Sequence, residues 1–164
     1  MYKFDSLFPM KLLFIASIVA GIGLAQDVPA PAMTPAEHAW QESMTNVKMI
    51  GSFTVGDGKE LHDDAYLIEK ITKVADGQWS FVAHIQYGGR DVKVTLKVPV
   101  QFAGDTPVIN FTRQTVPGMG TYNAKVLFFN SGYAGTWGAG DHGGSMFGKI
   151  VKNDTPPDTP KPPQ

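Results

Sequence analysis

The chain of 164 residues contains no cysteine. This absence excludes a disulfide framework, a thiol nucleophile, and zinc or iron–sulfur sites that need thiolate ligands. Excess charge of either sign is also missing, since 14 Lys and Arg stand against 15 Asp and Glu. A near-neutral chain lacks the excess of basic residues that attracts nucleic acid or an anionic membrane, so we expect neither as a partner.

The common motifs of nucleophilic and nucleotide chemistry are absent as well. There is no Gly-x-Ser-x-Gly elbow that would expose a serine nucleophile. The glycine-rich segments precede strand-like sequence rather than the helix N-terminus that binds phosphate. We therefore expect no cofactor and assign no metal ligands.

Long apolar runs are limited to one segment near the N-terminus. Residues Leu12–Leu24 follow Lys11, and as a helix they would span roughly 20 Å, less than the ~30 Å of a bilayer core. The run is followed by Ala25, and the small residues Gly23 and Ala25 match the −3 and −1 positions of a signal-peptidase site. We predict a signal peptide over residues 1–25, cleavage near Ala25, and export to the periplasm or the cell exterior. An uncleaved membrane anchor is the alternative.

The remaining sequence has the size of one compact domain. Residues 26–33 read as a Pro/Ala linker, residues 34–152 as the folded domain, and residues 153–164 as a disordered, proline-rich tail. An exported domain without disulfides must be held by packing and backbone pairing alone. We expect a monomer with no membrane span after signal cleavage.

The domain begins with a helix signal. Thr34 suits the N-cap, Pro35 suits the first helical position, and Glu37 completes a capping box. Trp40 and Met44 follow at the spacing of one helical face. The pattern predicts a short amphipathic helix of about three turns with Trp40 as its anchor.

After residue 47 the apolar period changes to two, which is typical of strands with one buried face. The clearest alternation covers Trp79–Tyr87 and Val92–Phe102. Blurred alternation predicts a bulge within Tyr66–Val74. The other predicted strands are Val47–Val55, Val108–Thr112, Thr121–Phe129, Tyr133–Gly138 and Ser145–Val151.

The turns between these strands are short. Asp76-Gly77 and Gly88-Gly89 are typical of two-residue hairpins, so neighbouring strands are expected to be antiparallel. Eight strands in an open sheet would leave unpaired edges, which closure removes. We predict an all-β fold: an eight-stranded antiparallel up-and-down barrel, lipocalin-like, with the short N-terminal helix closing one end. A β-sandwich is the alternative.

Three stretches resemble an uncharacterised family of exported bacterial β proteins. They are Asp76–Trp79, Ala103–Ile109, and the block Tyr133–Trp137 with Asp141–Gly144. The resemblance implies export and a compact β fold, and no activity. More loosely, Gly135-Thr136-Trp137 is similar to the Gly-x-Trp signature of lipocalins, although it lies near the last strand here rather than on the first.

Two clusters suggest chemistry. Asp141-His142 lies among four glycines, where His142 is a candidate general base or half of a metal site. A structural turn is the alternative, and in an extended chain Asp141 would point away from His142. His62-Asp63-Asp64 reads as a solvated turn. A facial metal site would form if His62 met His142 with Asp64 or Asp141 as a third ligand.

Large aromatic side chains dominate the predicted interior. An eight-stranded barrel is just wide enough to be filled by them or to hold one small ligand, and both options stay open. Our first hypothesis is a non-catalytic binding module for a small apolar ligand, with Trp79, Tyr87 and Trp137 as candidate lining residues. One alternative is a rim enzyme that uses His142 with Asp141 or His62, with or without a metal ion held in the facial arrangement above. The other is a structural or adhesion unit of the cell envelope.

Overall fold

The computed structural model describes residues 31–87 and 90–154, excluding the side chains of Tyr87 and Arg90. The predicted signal peptide, most of the linker, the Gly88-Gly89 turn and the tail from residue 155 lie outside the described residues. The described part forms one helix and eight strands. They are α1 (Pro35–Ser43), β1 (Val47–Thr54), β2 (Leu61–Ala75), β3 (Gln78–Tyr87), β4 (Arg90–Ala103), β5 (Thr106–Val116), β6 (Gly120–Phe129), β7 (Gly132–Ala139) and β8 (His142–Lys152).

The strands form a closed barrel in sequence order. Each strand pairs antiparallel with the next, and β8 returns to pair with β1, for example Met49 with Ile150. The predicted up-and-down barrel is therefore confirmed over the β-sandwich. Closure pairs the first and last strands with each other, which removes the two free edges of an open sheet. The pairing of β4 with β5 is short and covers only Val100–Ala103 and Thr106–Ile109.

Helix α1 begins as its sequence predicts. The Glu37 backbone N–H donates to Thr34 Oγ1 at 3.3 Å, and Glu37 Oε2 accepts from the Thr34 backbone N–H at 2.7 Å. Pro35 occupies the first turn, where its missing N–H has no cost. In the described part of the chain, no helix has the length and apolarity needed to cross a membrane.

Trp40 inserts from α1 into one end of the barrel. Its ring makes edge contacts with four other rings at centroid distances of 5.0 to 5.9 Å, those of Trp79, Phe81, Phe102 and Phe128. This arrangement closes the end of the barrel at which β1 begins. We call it the closed end.

A buried ion pair fastens the helix to the β2–β3 hairpin. Lys73 Nζ lies 2.8 Å from Glu37 Oε1 and 3.3 Å from Asp76 Oδ1. Burial acts to raise the pKa of Glu37, but the bonds from Lys73 and from Thr34 outweigh it, so this pKa lies below its ordinary value. Glu37 is therefore a carboxylate whose charge is compensated inside the fold.

The opposite end of the barrel is open. Among the described residues, it is formed by the loops that join β1 to β2, β5 to β6 and β7 to β8. No helix in the described residues covers it. We call this end the mouth.

Strand β2 starts earlier than the sequence suggested. The segment His62-Asp63-Asp64 was expected to be a solvated turn, and that expectation is wrong, because it pairs along β1, with Asp63 opposite Ser52 and Asp64 opposite Gly51. The predicted bulge in β2 is confirmed between Ile68 and Lys70. The pairing that gives β2 its length also turns Asp64 toward the inside of the barrel.

Candidate functional site

A cavity of about 330 Å³ opens at the mouth. Its walls include both aromatic and ionisable side chains: Phe53, Asp64, Tyr66, Tyr122, Trp137 and His142. A second space of about 210 Å³, with almost wholly apolar walls, adjoins it toward the closed end and shares Tyr66, Tyr122 and Trp137. We call the two spaces the mouth cavity and the deep chamber.

Small residues on the inward-facing positions leave this space open. Ala83 and Ala124 line the deep chamber. An eight-stranded barrel with large residues at all these positions would be filled. The interior therefore keeps open space beside its aromatic side chains.

Asp64 is the buried acid of the mouth cavity. It is only 8% exposed, and its Oδ2 atom has no hydrogen-bond partner. Burial raises the pKa of the Asp64 carboxyl, and a hydrogen bond with Tyr66 opposes this only in part. No lysine or arginine is among the described residues that line the cavity. Asp64 is thus a desolvated carboxyl with no cationic partner among the described side chains.

Tyr133 reaches toward Asp64 across two glycines. Tyr133 pairs with Gly148, Gly148 with Gly51, and Gly51 with Asp64, so one row crosses four adjacent strands. A Cβ at Gly148 would lie 2.7 Å from Tyr133 Cε1, and one at Gly51 would lie 2.6 Å from the Tyr133 hydroxyl. That hydroxyl is buried without a partner, and burial together with the charge of Asp64 raises the pKa of Tyr133.

Trp137 lies where a ligand entering the mouth would meet it. Its Nε1–H donates to the Thr54 carbonyl at 3.0 Å, and its ring packs edge-on against Phe53 at 5.5 Å. The hydrogen bond satisfies the polar end of the indole, which leaves the ring to line both spaces. Trp137 thus lines both spaces, and its contact with a ligand stays a prediction.

The other two proposed lining residues differ from Trp137. Trp79 is fully buried at the closed end, 5.0 Å from Trp40, and does not reach the mouth. The sequence predicted that the Trp79 side chain points into the barrel. At this end of β3, however, a side chain that points inward packs against helix α1. Tyr87 ends β3 at the mouth, and its side chain lies outside the described residues.

His142 and Asp141 form a pair at the rim. His142 Nδ1 lies 3.1 Å from Asp141 Oδ1, with the two side chains 67% and 89% exposed. They meet because Asp141 sits in a turn after Gly140, whose φ is 60°, rather than in an extended strand. Among residues 31–87 and 90–154, no three His, Asp or Glu side chains are grouped closely enough to hold a metal ion.

Asp64 was the residue that sequence reasoning placed in the wrong environment. His62, Asp64, Tyr66 and Ile68 follow the same period of two that identified the other strands. An acid at an inward position of such a series is the signal of a functional carboxyl. The two adjacent aspartates, Asp63 and Asp64, led instead to the prediction of a solvated turn, because Asp is favoured in turns.

The raised pKa of Asp64 predicts how stability depends on pH. The folded state keeps the proton above 3.8, the ordinary pKa of Asp, so the free energy of unfolding falls as pH rises from that value through the folded pKa. Asp64→Asn removes this decrease in the free energy of unfolding, because an amide does not ionise. We expect urea unfolding near pH 7 to show the variant more stable by on the order of 1 kcal/mol, a gain that shrinks below about pH 4.

The control for this prediction is Asp63→Asn, which removes an equal charge from the exposed neighbouring position. It should change the free energy of unfolding by less than about 0.5 kcal/mol. A less stable Asp64→Asn protein at neutral pH would show that the carboxylate is compensated in the fold.

The chain matches no protein-family model, no curated protein and no solved structure. The resemblances to exported β proteins and to lipocalins therefore stay expectations from the sequence. What the cavity binds has to follow from its own walls and charges.

Proposed function

We propose that this protein is an exported, non-catalytic binding module that holds a small apolar or amphipathic ligand inside the barrel mouth. The observation that carries the proposal is the mouth cavity of about 330 Å³ with the apolar deep chamber next to it. Cavities of roughly 300–1,000 Å³ with mainly apolar walls and a few polar groups are typical of small-molecule sites.

Export is supported by the sequence. The apolar run Leu12–Leu24 and the small residues before the expected cleavage point at Ala25 are typical of a signal peptide. The absence of cysteine leaves the barrel insensitive to the redox state of the compartment it enters.

A rim enzyme is the second candidate, favoured by the 3.1 Å contact between His142 and Asp141 at the edge of the cavity. Both side chains are mostly in water, where an ion pair is screened. The apolar volume next to the rim therefore supports binding better than catalysis.

The binding proposal is tested with an uncharged fluorophore, N-phenylnaphthylamine, whose emission rises and shifts to the blue in apolar surroundings. We expect saturable binding by the purified protein. Ala124→Phe places a ring in the deep chamber and should weaken binding by at least about tenfold, because the lost volume no longer accepts the probe.

The matched control is Ala65→Phe, which adds the same ring to the outward-facing neighbour of Asp64 on β2. It should bind the fluorophore as the unaltered protein does. Binding that is not saturable, or that falls equally in both variants, would contradict a ligand site inside the barrel.

A further inference from the structure

Among the described residues, the carboxyl groups with little exposure either have a cationic partner or lack one. Glu37 has Lys73 Nζ at 2.8 Å, and the largely buried Glu69 has Lys93 Nζ and His84 Nε2 each at 2.8 Å. The pKa of each is lowered: for Glu37 the bonds from Lys73 outweigh burial, and for Glu69 the Lys93 bond is the main cause. Both of these glutamates, Glu37 and Glu69, therefore have a lysine as a direct ion-pair partner.

Asp64 is the exception. The titratable groups that face it or its partner Tyr66 in the described structure are the hydroxyls of Tyr66, Tyr122 and Tyr133, from β2, β6 and β7. None of these carries positive charge. His142, from β8, lines the same cavity but stands at its water-exposed rim, where it pairs with Asp141.

A buried acid without a counter-ion costs stability unless a partner arrives from outside. Asp64 lines a cavity that a small molecule can enter, and its Oδ2 atom is buried without a hydrogen-bond partner. We propose that Asp64 sets the ligand class of this site: a small amphipathic organic cation, whose protonated nitrogen binds the Asp64 carboxylate. This inference rests on the proposed binding function and specifies its ligand.

The walls around Asp64 suit both parts of such a molecule. Tyr66, Tyr122 and Trp137 line the mouth cavity with Asp64, and aromatic faces attract an organic ammonium group as well as apolar groups. The deep chamber begins at these same three rings and has almost no polar surface. An ammonium at Asp64 can therefore project its apolar tail toward the closed end.

Tyr133 and its glycine row support the same assignment. Its hydroxyl is held close to Gly51, next to Asp64, without a hydrogen-bond partner of its own. A protonated primary amine has three donors. Such a head group bound at Asp64 has donors left for a second acceptor, and the Tyr133 oxygen is an unpartnered acceptor in the same row of paired residues.

The test compares three molecules that share one tail and differ in head-group charge: octylamine, octanol and octanoate. Each is titrated near pH 7 into the protein loaded with N-phenylnaphthylamine. We expect octylamine to displace the fluorophore at a concentration about tenfold or more below that of octanol, with octanoate the weakest, because a charge-assisted bond in a desolvated site is strong.

Asp64→Asn should bring octylamine and octanol to similar displacing concentrations while octanol binding persists. Asp63→Asn, which removes an exposed charge from the next residue, should keep the full preference. Failure of the fluorophore itself to bind would overturn the binding function. Fluorophore binding with no preference for octylamine, or a preference that survives Asp64→Asn, would overturn the cation assignment alone.

Discussion

Replacing Trp40 by alanine should lower the free energy of unfolding by about 3–5 kcal/mol. The Trp40 ring is 6% exposed and contacts four aromatic rings, with that of Trp79 at a centroid distance of 5.0 Å. Two of these partners, Phe81 and Phe128, also form walls of the deep chamber. The substitution therefore removes packing at the closed end and opens a cavity next to the deep chamber. Urea unfolding followed by circular dichroism measures the loss.

The control for Trp40→Ala is His38→Ala, which truncates an exposed side chain of the same helix. It should change the free energy of unfolding by no more than about 0.5 kcal/mol. Trp40→Phe should give an intermediate loss, because a smaller ring keeps some of the edge contacts. A loss below about 1 kcal/mol for Trp40→Ala would mean that α1 does not contribute to the core.

The sequence was sufficient to predict most of the fold because its signals are local. The capping box at Thr34 and Glu37 depends on residues three apart, and it forms as expected. Alternation over Trp79–Tyr87 and Val92–Phe102 depends on a period of two within one strand. Barrel closure followed from the cost of unpaired edges once eight sequential strands were counted.

The site was harder to predict because it depends on which strand ends meet. Alternation shows that Trp79 and Trp137 both point inward, but it does not show that they lie at opposite ends of the barrel. The closing pair of β1 and β8 brings Gly51 beside Gly148 across almost a hundred residues. Only this long-range register makes Tyr133 a neighbour of Asp64.

The row that joins Tyr133 to Asp64 depends on two positions having no side chain. At Gly51, an added Cβ would meet the Phe147 carbonyl and the Gly148 Cα as well as the Tyr133 hydroxyl, at 2.6 Å for the hydroxyl. The first two are backbone atoms of β8, which a rotamer change cannot move aside. The conflict at Gly51 therefore falls on the β1–β8 seam that closes the barrel.

We expect Gly51→Ala to lower the free energy of unfolding by about 3 kcal/mol, at the upper end of the cost of overpacking, because backbone and side chain both obstruct the methyl group. Gly138→Ala is the matched control on β7. Its added Cβ would have the His142 carbonyl at 3.5 Å as its nearest neighbour, and the stiffer residue should leave stability unchanged or raise it by up to about 1 kcal/mol. Urea unfolding of both variants measures the difference. Equal stabilities would show that the seam is loose enough to admit a methyl group, and that the close approach of Tyr133 to Asp64 does not require glycine at position 51.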